Sequence, residues 1–205
     1  MSLITLVRHG ETTWNAMNKV QGQLESPLSP RGVAQAEALA RRLQHEPFDA
    51  MYSSDLSRAR DTAKKIAALS GHDIVVDTRL RERHYGMFQG LTWDDIKRNH
   101  PEEYAQYKGR FPNVTIPGGE SADEFFGRVL EVLAEISAKH EHALVVAHGG
   151  LVDVIYREAM QLAREAPRDY PLPNASINRF RLGGAWQVEA FGDVGHLQGD
   201  ALEDG

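Results

Sequence analysis

Two histidines in this 205-residue chain occupy equivalent positions after short apolar runs. His9 follows residues 3–7 and Arg8, His148 follows residues 143–147, and a glycine comes directly after each histidine. Short apolar runs rich in β-branched residues are typical of buried strands, and ligand sites in open α/β sheets lie outside the carboxyl ends of the strands. Neighbouring strands are about 4.8 Å apart, so both histidines reach one crevice if their strands are neighbours. The pattern therefore predicts a site that contains two imidazoles.

A cationic side chain is placed by the helix that follows another short strand. Residues 49–53 have a strand pattern, and Ser54 or Asp55 is predicted to cap a helix that ends at Gly71. Arg58 then lies in the first turn of this helix. Most such arginines are solvated surface charges, but a helix N-terminus also favours anions, so this arginine is a candidate for an anion site.

Two further helices have clear start signals. Ser29 followed by Pro30 predicts the start of a helix with one apolar face, and Ser121 with Glu124 forms a capping box ahead of another amphipathic helix. This last helix leads into the strand at residues 143–147. Because strands that alternate with helices indicate a parallel sheet, we predict an α/β fold, a three-layer sandwich with a mostly parallel central sheet flanked by helices.

The remaining segments predict loops, a hairpin and a tail. Residues 83–120 are rich in glycine, proline, polar and aromatic residues and are predicted to be a long excursion that shapes the site, with short helices around residues 93–109. Residues 177–182 and 186–191 flank two glycines and predict a β-hairpin. The acidic residues 199–205 are predicted to be a disordered tail.

The composition fits one globular domain, predicted at residues 1–198. Hydrophobic residues make up 41% of the chain, and there is no cysteine for a disulfide or a thiolate metal site. A net charge of −6 argues against nucleic-acid and anionic-membrane partners, which are bound through clustered lysines and arginines. No leader pattern and no apolar run of membrane-spanning length is present, so we predict a soluble, cytoplasmic protein. The sequence leaves the oligomeric state open between a monomer and a homodimer.

Four stretches of the chain resemble the motifs of one enzyme family. They are residues 6–12 followed by Trp14-Asn15, residues 53–63, residues 80–91 and residues 146–150. Together they cover nearly the whole chain in family order, and they are similar to the histidine phosphatase superfamily, which includes the cofactor-dependent phosphoglycerate mutases and many phosphatases. The resemblance implies a phosphoglycerate mutase-like fold and a phosphoryl-transfer enzyme that forms a phosphohistidine.

The resemblance also implies roles for individual residues. His9 is implied to be the nucleophile that is phosphorylated, and Glu82 is implied to donate and accept the proton. The residues implied to hold the phosphoryl group are Arg8, Arg58 and His148. The other implied substrate contacts are Asn15, Gln21, Arg83, Tyr85 and Gly149. The resemblance implies no metal and no required cofactor, with 2,3-bisphosphoglycerate acting as a primer only if the enzyme is a mutase.

The chemistry of these residue types agrees with the resemblance. A neutral imidazole can attack phosphorus in line once the charge of the phosphate dianion is offset, and two guanidiniums with a second imidazole do this. The attacking ring nitrogen must be unprotonated while the other donates, and the loop at Gly10 is expected to supply the accepting carbonyl. An alkoxide leaves poorly without an acid, which is the role implied for Glu82. No metallohydrolase or P-loop motif is present in the sequence.

Two branches of the family are alternatives for the reaction. Residues 82–86 resemble the mutases, whereas residues 116–121 look like the phosphatases. The mutases carry a longer insertion with a lysine and a pair of arginines that grips the substrate carboxylate. Here Trp93 stands where that lysine is expected, and only Lys108 and an isolated Arg110 follow. We therefore predict a phosphatase of the broad-specificity type that hydrolyses small phosphorylated metabolites.

Other functions stay open beside this prediction. A 2,3-bisphosphoglycerate-dependent phosphoglycerate mutase is the main alternative, and a non-catalytic phosphoester-binding module is the third. The predicted partner is a small-molecule phosphomonoester. Its identity depends on the folded shape of residues 83–120, which the sequence alone does not specify.

Overall fold

A six-stranded sheet forms the centre of the described part of the chain. The structure is a computed structural model and describes residues 1–109 and 114–197. In chain order the strands are β1 (Ser2–Arg8), β2 (Ala50–Ser53), β3 (Ile74–Val76), β4 (His142–Ala147), β5 (Ile177–Leu182) and β6 (Trp186–Asp193). Their order in the sheet is β3-β2-β4-β1-β5-β6.

The sheet is parallel over four strands and antiparallel at one edge. β1 pairs in parallel with β4, β4 with β2, and β2 with β3, whereas β5 runs antiparallel to β1 and pairs with β6 as a hairpin. The predicted hairpin is thus confirmed. β1 and β4 are direct neighbours, with Val7 opposite Val146 and Arg8 opposite Ala147. This pairing brings the residues that follow both strands to the same edge of the sheet.

Helices cover both faces of the sheet. They are α1 (Thr13–Ala16), α2 (Pro30–Leu43), α3 (Ser57–Ser70), α4 (Trp93–Asn99), α5 (Pro101–Lys108), α6 (Ala122–Lys139) and α7 (Gly149–Ala159). On one face, Ile4 and Leu6 of β1 belong to a buried cluster with α6 and α7, and on the other, Val7 belongs to a cluster with α2 and α3. Alternate residues of a strand point to opposite faces, so β1 contributes to both cores. The predicted three-layer α/β fold is confirmed.

The helix start signals are confirmed for two helices and wrong for the third. The Ser29 hydroxyl accepts from the Gly32 N–H at the start of α2, and Ser121 with Glu124 forms the predicted capping box of α6. For α3, neither Ser54 nor Asp55 is the N-cap, because the helix begins after Leu56 and has no side-chain cap.

The two candidate caps of α3 have other partners. Asp55 pairs with Arg81, and Ser54 contacts a histidine described below. Arg58 nevertheless lies in the first turn of α3. The helix ends as predicted at Gly71, whose φ of 75° is in the left-handed region that glycine tolerates.

The excursion after residue 82 builds a wall above the sheet. It contains a 3₁₀ turn at Gly86–Phe88, followed by the predicted short helices, α4 and α5. Val20, Phe88, Ile96 and Ile116 form a third buried cluster that joins this wall to the loop before α2. The predicted domain end at residue 198 and the acidic tail lie outside the described residues. Over the described ranges, no helix is long and apolar enough to cross a membrane.

Two glycines allow the loop after His9 to pack directly against α2. A Cβ atom at Gly32 would lie 1.9 Å from the carbonyl oxygen of Glu11, and one at Gly10 would lie 2.4 Å from the carbonyl oxygen of Gly32. Both contacts are with backbone atoms, which cannot rotate away as a side chain can. The absence of these Cβ atoms is therefore required for the close approach that positions His9.

Gly32→Ala is expected to destabilise the protein by about 1 to 3 kcal/mol, the usual cost of overpacking. The matched control is Gly127→Ala in α6, where a Cβ meets nothing within 4 Å. The control should stabilise the protein by about 0.5 to 1 kcal/mol, because alanine is the better helix former. Urea unfolding measures both values. Equal or greater stability of the Gly32→Ala variant would show that the contact with Glu11 is unimportant.

Candidate active site

A pocket of about 320 Å³ opens at the carboxyl ends of β1 and β4. It is the edge of the sheet where ligands bind in open α/β folds. Most of the residues predicted to act on the substrate line it: Arg8, His9, Asn15, Gln21, Arg58, Glu82, Arg83, Tyr85 and Gly149. His148 lies directly beside His9, with 5.2 Å between the ring centroids.

The His9 ring is held in one tautomer. Its Nδ1 lies 2.7 Å from the carbonyl oxygen of Gly10. A carbonyl oxygen only accepts, so Nδ1 carries the proton and Nε2 keeps its lone pair. The backbone carbonyl of His9 accepts from the Asn174 side chain at 3.0 Å and from the Ala175 N–H at 3.1 Å, which fixes the loop.

The His9 imidazole is neutral at neutral pH. Burial lowers its pKa well below the ordinary value, and the positive charges of Arg58 and Arg8 lower it further, against the opposing hydrogen bond to Gly10. A neutral ring with an unprotonated Nε2 is the form of imidazole that can act as a nucleophile.

His148 is buried at the N-terminus of α7, where its backbone is the N-cap. Its Nε2 lies 2.9 Å from the hydroxyl of Ser54, and that hydroxyl accepts from the Leu56 N–H at 3.3 Å. The Ser54 hydroxyl has one proton to donate, and in the tautomer whose Nε2 accepts it the ring proton lies on Nδ1. Among the described residues, Nδ1 has no hydrogen-bond partner. Burial, followed by Arg58, lowers the pKa of His148, so the ring is a neutral donor.

Arg58 brings a buried guanidinium to the site. Its Nη1 donates to the carbonyl of Leu24 at 3.0 Å and its Nη2 to the carbonyl of Gly22 at 2.6 Å. Burial lowers its pKa to about 10, with Glu82 and Glu25 opposing the shift, so the group stays charged at neutral pH. Since carbonyl dipoles bind it without neutralising it, the charge remains available to an anion.

Arg8 approaches from the end of β1. Its Nη1 donates to the carbonyl of Leu172. A Cβ atom at Gly149 would come within 3.4 Å of its Nε, so a residue without a side chain at this position leaves room for the guanidinium. Arg8, Arg58 and His9 line the same pocket, and the two positive charges lower the pKa of His9.

Glu82 is tied to the first turn of α7. One carboxylate oxygen accepts from the Arg83 N–H at 2.8 Å, and the other accepts from the Gly150 N–H at 2.9 Å. A Cβ atom at Gly150 would lie 2.0 Å from the carboxylate of Glu82. Gly150 is thus a positioning residue that the sequence analysis did not include, although the Gly-Gly pair after His148 was a signal for it.

Two polar residues from the loop after β1 complete the inner wall. Asn15 uses its Oδ1 to accept from the Thr12 N–H at 3.1 Å, so it also caps α1. Gln21 is buried, and no described residue forms a hydrogen bond with its Oε1. Both residues line the pocket, as expected of substrate contacts.

The outer wall comes from the excursion and from α7. Arg83 lies 5.7 Å above the ring of Tyr85 and donates to the carbonyl of Glu120 at 3.0 Å. Trp93 stacks on Tyr107, with 5.1 Å between the rings. Sequence analysis missed the other charged residues of the outer pocket, which are Lys19, Asp153, Arg157, Arg164 and Arg168. Within the described residues, no group of three or more His, Cys, Asp or Glu side chains is placed to hold a metal ion.

The arrangement of the site matches a known family over most of the chain. Residues 4–194 match the family model described as histidine phosphatase superfamily (branch 1). The chain belongs to this superfamily.

Relatives of this histidine phosphatase have both mutase-like and phosphatase names. It is 42% identical to phosphoglycerate mutase-like protein 4 of Arabidopsis thaliana, over 95% of this chain and 86% of the relative. It is also 42% identical to the metal-independent phosphoserine phosphatase of Arabidopsis thaliana, over 95% and 82%. A mycobacterial glucosyl-3-phosphoglycerate phosphatase is 31% identical and superposes with a TM-score of 0.83, over 93% of this chain and 98% of that one.

Ser54→Ala should release the His148 ring from its single tautomer. In this histidine phosphatase the loss of one neutral hydrogen bond should lower kcat/KM for p-nitrophenyl phosphate about three- to tenfold. The ¹⁵N NMR shifts of the ring should change from those of the Nδ1–H form to a mixture. Ser70→Ala is the matched control, because no described residue forms a hydrogen bond with the Ser70 hydroxyl. Unchanged His148 shifts in the Ser54→Ala variant would contradict this role.

Proposed function

We propose that this chain is a phosphomonoesterase that hydrolyses small phosphorylated metabolites through a phosphohistidine at His9. The observation that carries the proposal is the state of the His9 ring. It is neutral, its Nδ1 is held by the Gly10 carbonyl, and the positive charges of Arg8 and Arg58 lie near it. This combination provides a nucleophile and offsets the charge of the phosphate that the nucleophile must approach.

In the first step, Nε2 of His9 attacks the phosphorus in line with the leaving oxygen. The N–P bond forms as the P–O bond to the alcohol breaks, and Glu82 in its protonated form donates the proton to the leaving oxygen. Arg8, Arg58 and the Nδ1–H of His148 hold the three remaining phosphoryl oxygens. Asn15 and Gln21 bind the same group from the other side of the pocket.

In the second step, water replaces the alcohol. Glu82, now a carboxylate, accepts a proton from water as the water oxygen attacks phosphorus, and the N–P bond breaks to return His9 and inorganic phosphate. The two hydrogen bonds that Glu82 accepts from the Arg83 and Gly150 N–H groups hold the carboxylate over the pocket for both transfers.

No metal ion is needed in this scheme, because guanidiniums offset the charge of the phosphate. The relative named metal-independent phosphoserine phosphatase supports this part of the proposal. A primer would be required only by a mutase. The small-metabolite partner, the absence of nucleic-acid and membrane partners, the oligomeric state and the cytoplasmic location stay predictions.

Hydrolysis is favoured over mutase activity by the composition of the outer wall. A mutase must hold its intermediate while it reorients, which requires strong contacts and exclusion of water. At the position of the expected lysine, Trp93 stacks on Tyr107, so this part of the wall has an aromatic ring in place of the lysine charge. Lys108 lies at the end of α5, and Arg110 lies outside the described residues. The phosphatase names of two relatives support the same choice.

Brief incubation with a ³²P-labelled phosphomonoester should place phosphate on His9 as an acid-labile, alkali-stable adduct. Peptide mapping locates the label, and His9→Ala should abolish both label and turnover. His45→Ala, which alters an exposed histidine, should retain both. Activity should persist in a chelator, since arginines take the place of a metal ion. Normal turnover by His9→Ala, or loss of activity in the chelator with recovery on adding a divalent ion, would refute the mechanism.

Assays with 3-phosphoglycerate distinguish the two branches. The enzyme should release inorganic phosphate and should interconvert 3- and 2-phosphoglycerate poorly, even when primed with 2,3-bisphosphoglycerate. The physical reason is that an intermediate without the mutase contacts meets water before it reorients. Phosphate release and isomerisation are measured in the same reaction. Isomerisation faster than phosphate release would identify the chain as a mutase.

A further inference from the structure

The pocket contains more positive charge than one phosphoryl group requires. Its described lining includes seven cationic side chains and two acidic ones, although the chain as a whole carries a net charge of −6. Arg8 and Arg58 serve the phosphoryl end. Three other arginines, Arg157, Arg164 and Arg168, belong to α7 and the segment that follows it. We call these three residues the outer arginines.

Arg157 lies on the face of α7 that extends outward from the phosphoryl end of the pocket. Gly149, Asp153 and Arg157 are spaced four residues apart, so they lie along one face of the helix. Gly149 and Arg157 are about 12 Å apart along the axis at 1.5 Å per residue. Arg157 lines the pocket, and its Nε reaches Asp153, which lies one turn nearer the phosphoryl end.

The Arg157 guanidinium is buried with one nitrogen unused. Its Nε donates to Asp153 at 3.1 Å and its Nη1 donates to the carbonyl of Ala163 at 3.0 Å. Its Nη2 is buried and has no hydrogen-bond partner among the described residues, although the side chain is only 1% exposed. A buried charged donor without a partner is costly, and an anion in the pocket would satisfy it.

The carboxylate of Asp153 does not neutralise all of the positive charge around Arg157. Asp153 is shared, because its other oxygen accepts from the Tyr170 hydroxyl at 2.6 Å. Arg164 pairs with Asp123 and lies 4.9 Å from the ring of Phe126, which also lines the pocket. Arg164 therefore remains at the rim of the same cavity.

Arg168 lines the same pocket from the segment after α7. Burial raises the pKa of Tyr85 and of Tyr170, and the charge of Arg168 opposes both shifts. The guanidinium thus acts on two tyrosines, one on the excursion and one on the segment after α7. Arg168 is exposed, so its own charge can be removed without disturbing the core.

We infer that the outer arginines form a second anion subsite, which binds a carboxylate or a second phosphate on the carbon skeleton of the substrate. This inference rests on the proposed function and narrows its substrate class to phosphomonoesters with a second negative group. A cluster on α7 and the segment after it differs in place from the charged insertion after residue 91 that the resemblance gives to the mutases.

A matched pair of substrates tests the carboxylate. 3-Phosphoglycerate and glycerol 3-phosphate share one skeleton and differ in a carboxylate against a CH₂OH group. The wild-type kcat/KM should be about ten- to hundredfold higher for 3-phosphoglycerate, the range expected of charge-assisted contacts. A second pair, 1,3-propanediol bisphosphate and 3-hydroxypropyl phosphate, tests the phosphate. If the enzyme prefers the doubly anionic substrate in one pair and not in the other, that pair identifies the anion that the subsite binds.

Substitutions then assign the preference to the outer arginines. Arg164→Gln and Arg168→Gln should each reduce several-fold the ratio of kcat/KM for 3-phosphoglycerate to kcat/KM for glycerol 3-phosphate. The double variant should bring this ratio close to one. Arg157→Lys, which keeps the charge and loses the fork, should reduce it partly. Activity on p-nitrophenyl phosphate, which lacks a second anion, should fall less than activity on 3-phosphoglycerate in the exposed variants. Arg41→Gln, an exposed arginine outside the pocket, should change none of these values.

The results separate a failed subsite from a failed mechanism. Equal wild-type kcat/KM within both pairs, or equal losses on all substrates in the exposed double variant, would refute the subsite while the phosphatase stands. If the wild-type protein fails to hydrolyse p-nitrophenyl phosphate, the proposed phosphatase activity is refuted instead. In that case, calorimetric binding of 3-phosphoglycerate and glycerol 3-phosphate to His9→Ala decides the subsite. Equal affinities for the two ligands would reject the subsite. Tighter binding of 3-phosphoglycerate than of glycerol 3-phosphate, with the difference reduced by Arg164→Gln/Arg168→Gln, would support it.

Discussion

Parallel pairing of β1 with β4 is the constraint on which the site depends. The register sets Arg8 opposite Ala147, and the His9 N–H continues the ladder by donating to the carbonyl of Ala147 at 3.0 Å. Side chains alternate between the faces of a sheet, so a shift of one residue would turn one histidine to the opposite face. The apolar residues of both strands are buried on both faces, and they resist such a shift. The core that stabilises the fold therefore also sets the distance between His9 and His148.

Burial of positive charge around this pair determines the electrostatics of the site. Arg58 is held by carbonyl dipoles of the loop at Gly22 and Leu24, which stabilise the guanidinium without cancelling its charge. Both histidines stay neutral, because burial disfavours the charged imidazolium and the neighbouring positive charges disfavour it further. The same buried charges that help to keep His9 unprotonated also attract a phosphate dianion, the group that His9 is proposed to attack.

The positions of His9, His148 and Arg58 were predictable from local pattern, because these residues follow strands or open a helix, whereas Glu82, Asn15 and Gln21 were implied only by the family resemblance. A histidine after a buried run, or an arginine one residue into a helix, is placed by local pattern alone. The α3 cap was predicted wrongly because Ser54 has a partner across the sheet, His148, and no local pattern records that contact. Gly150 was not predicted as a site residue for the same reason. The group that requires a glycine at this position is the carboxylate of Glu82, which is distant in the chain.

The outer arginines were missed for a different reason. Arg157 lies in a helix whose other buried residues are apolar, and an arginine in such a helix is normally assigned to the solvated face. Its burial depends on the segment after α7, which folds back so that the Ala163 carbonyl and Tyr170 enclose it. The residues proposed to hold the phosphoryl group lie mainly at strand and helix ends, whereas two of the three outer arginines lie on a segment after α7 whose shape is set by tertiary contacts. A common fold can then keep one phosphoryl chemistry while the outer segments change the substrate.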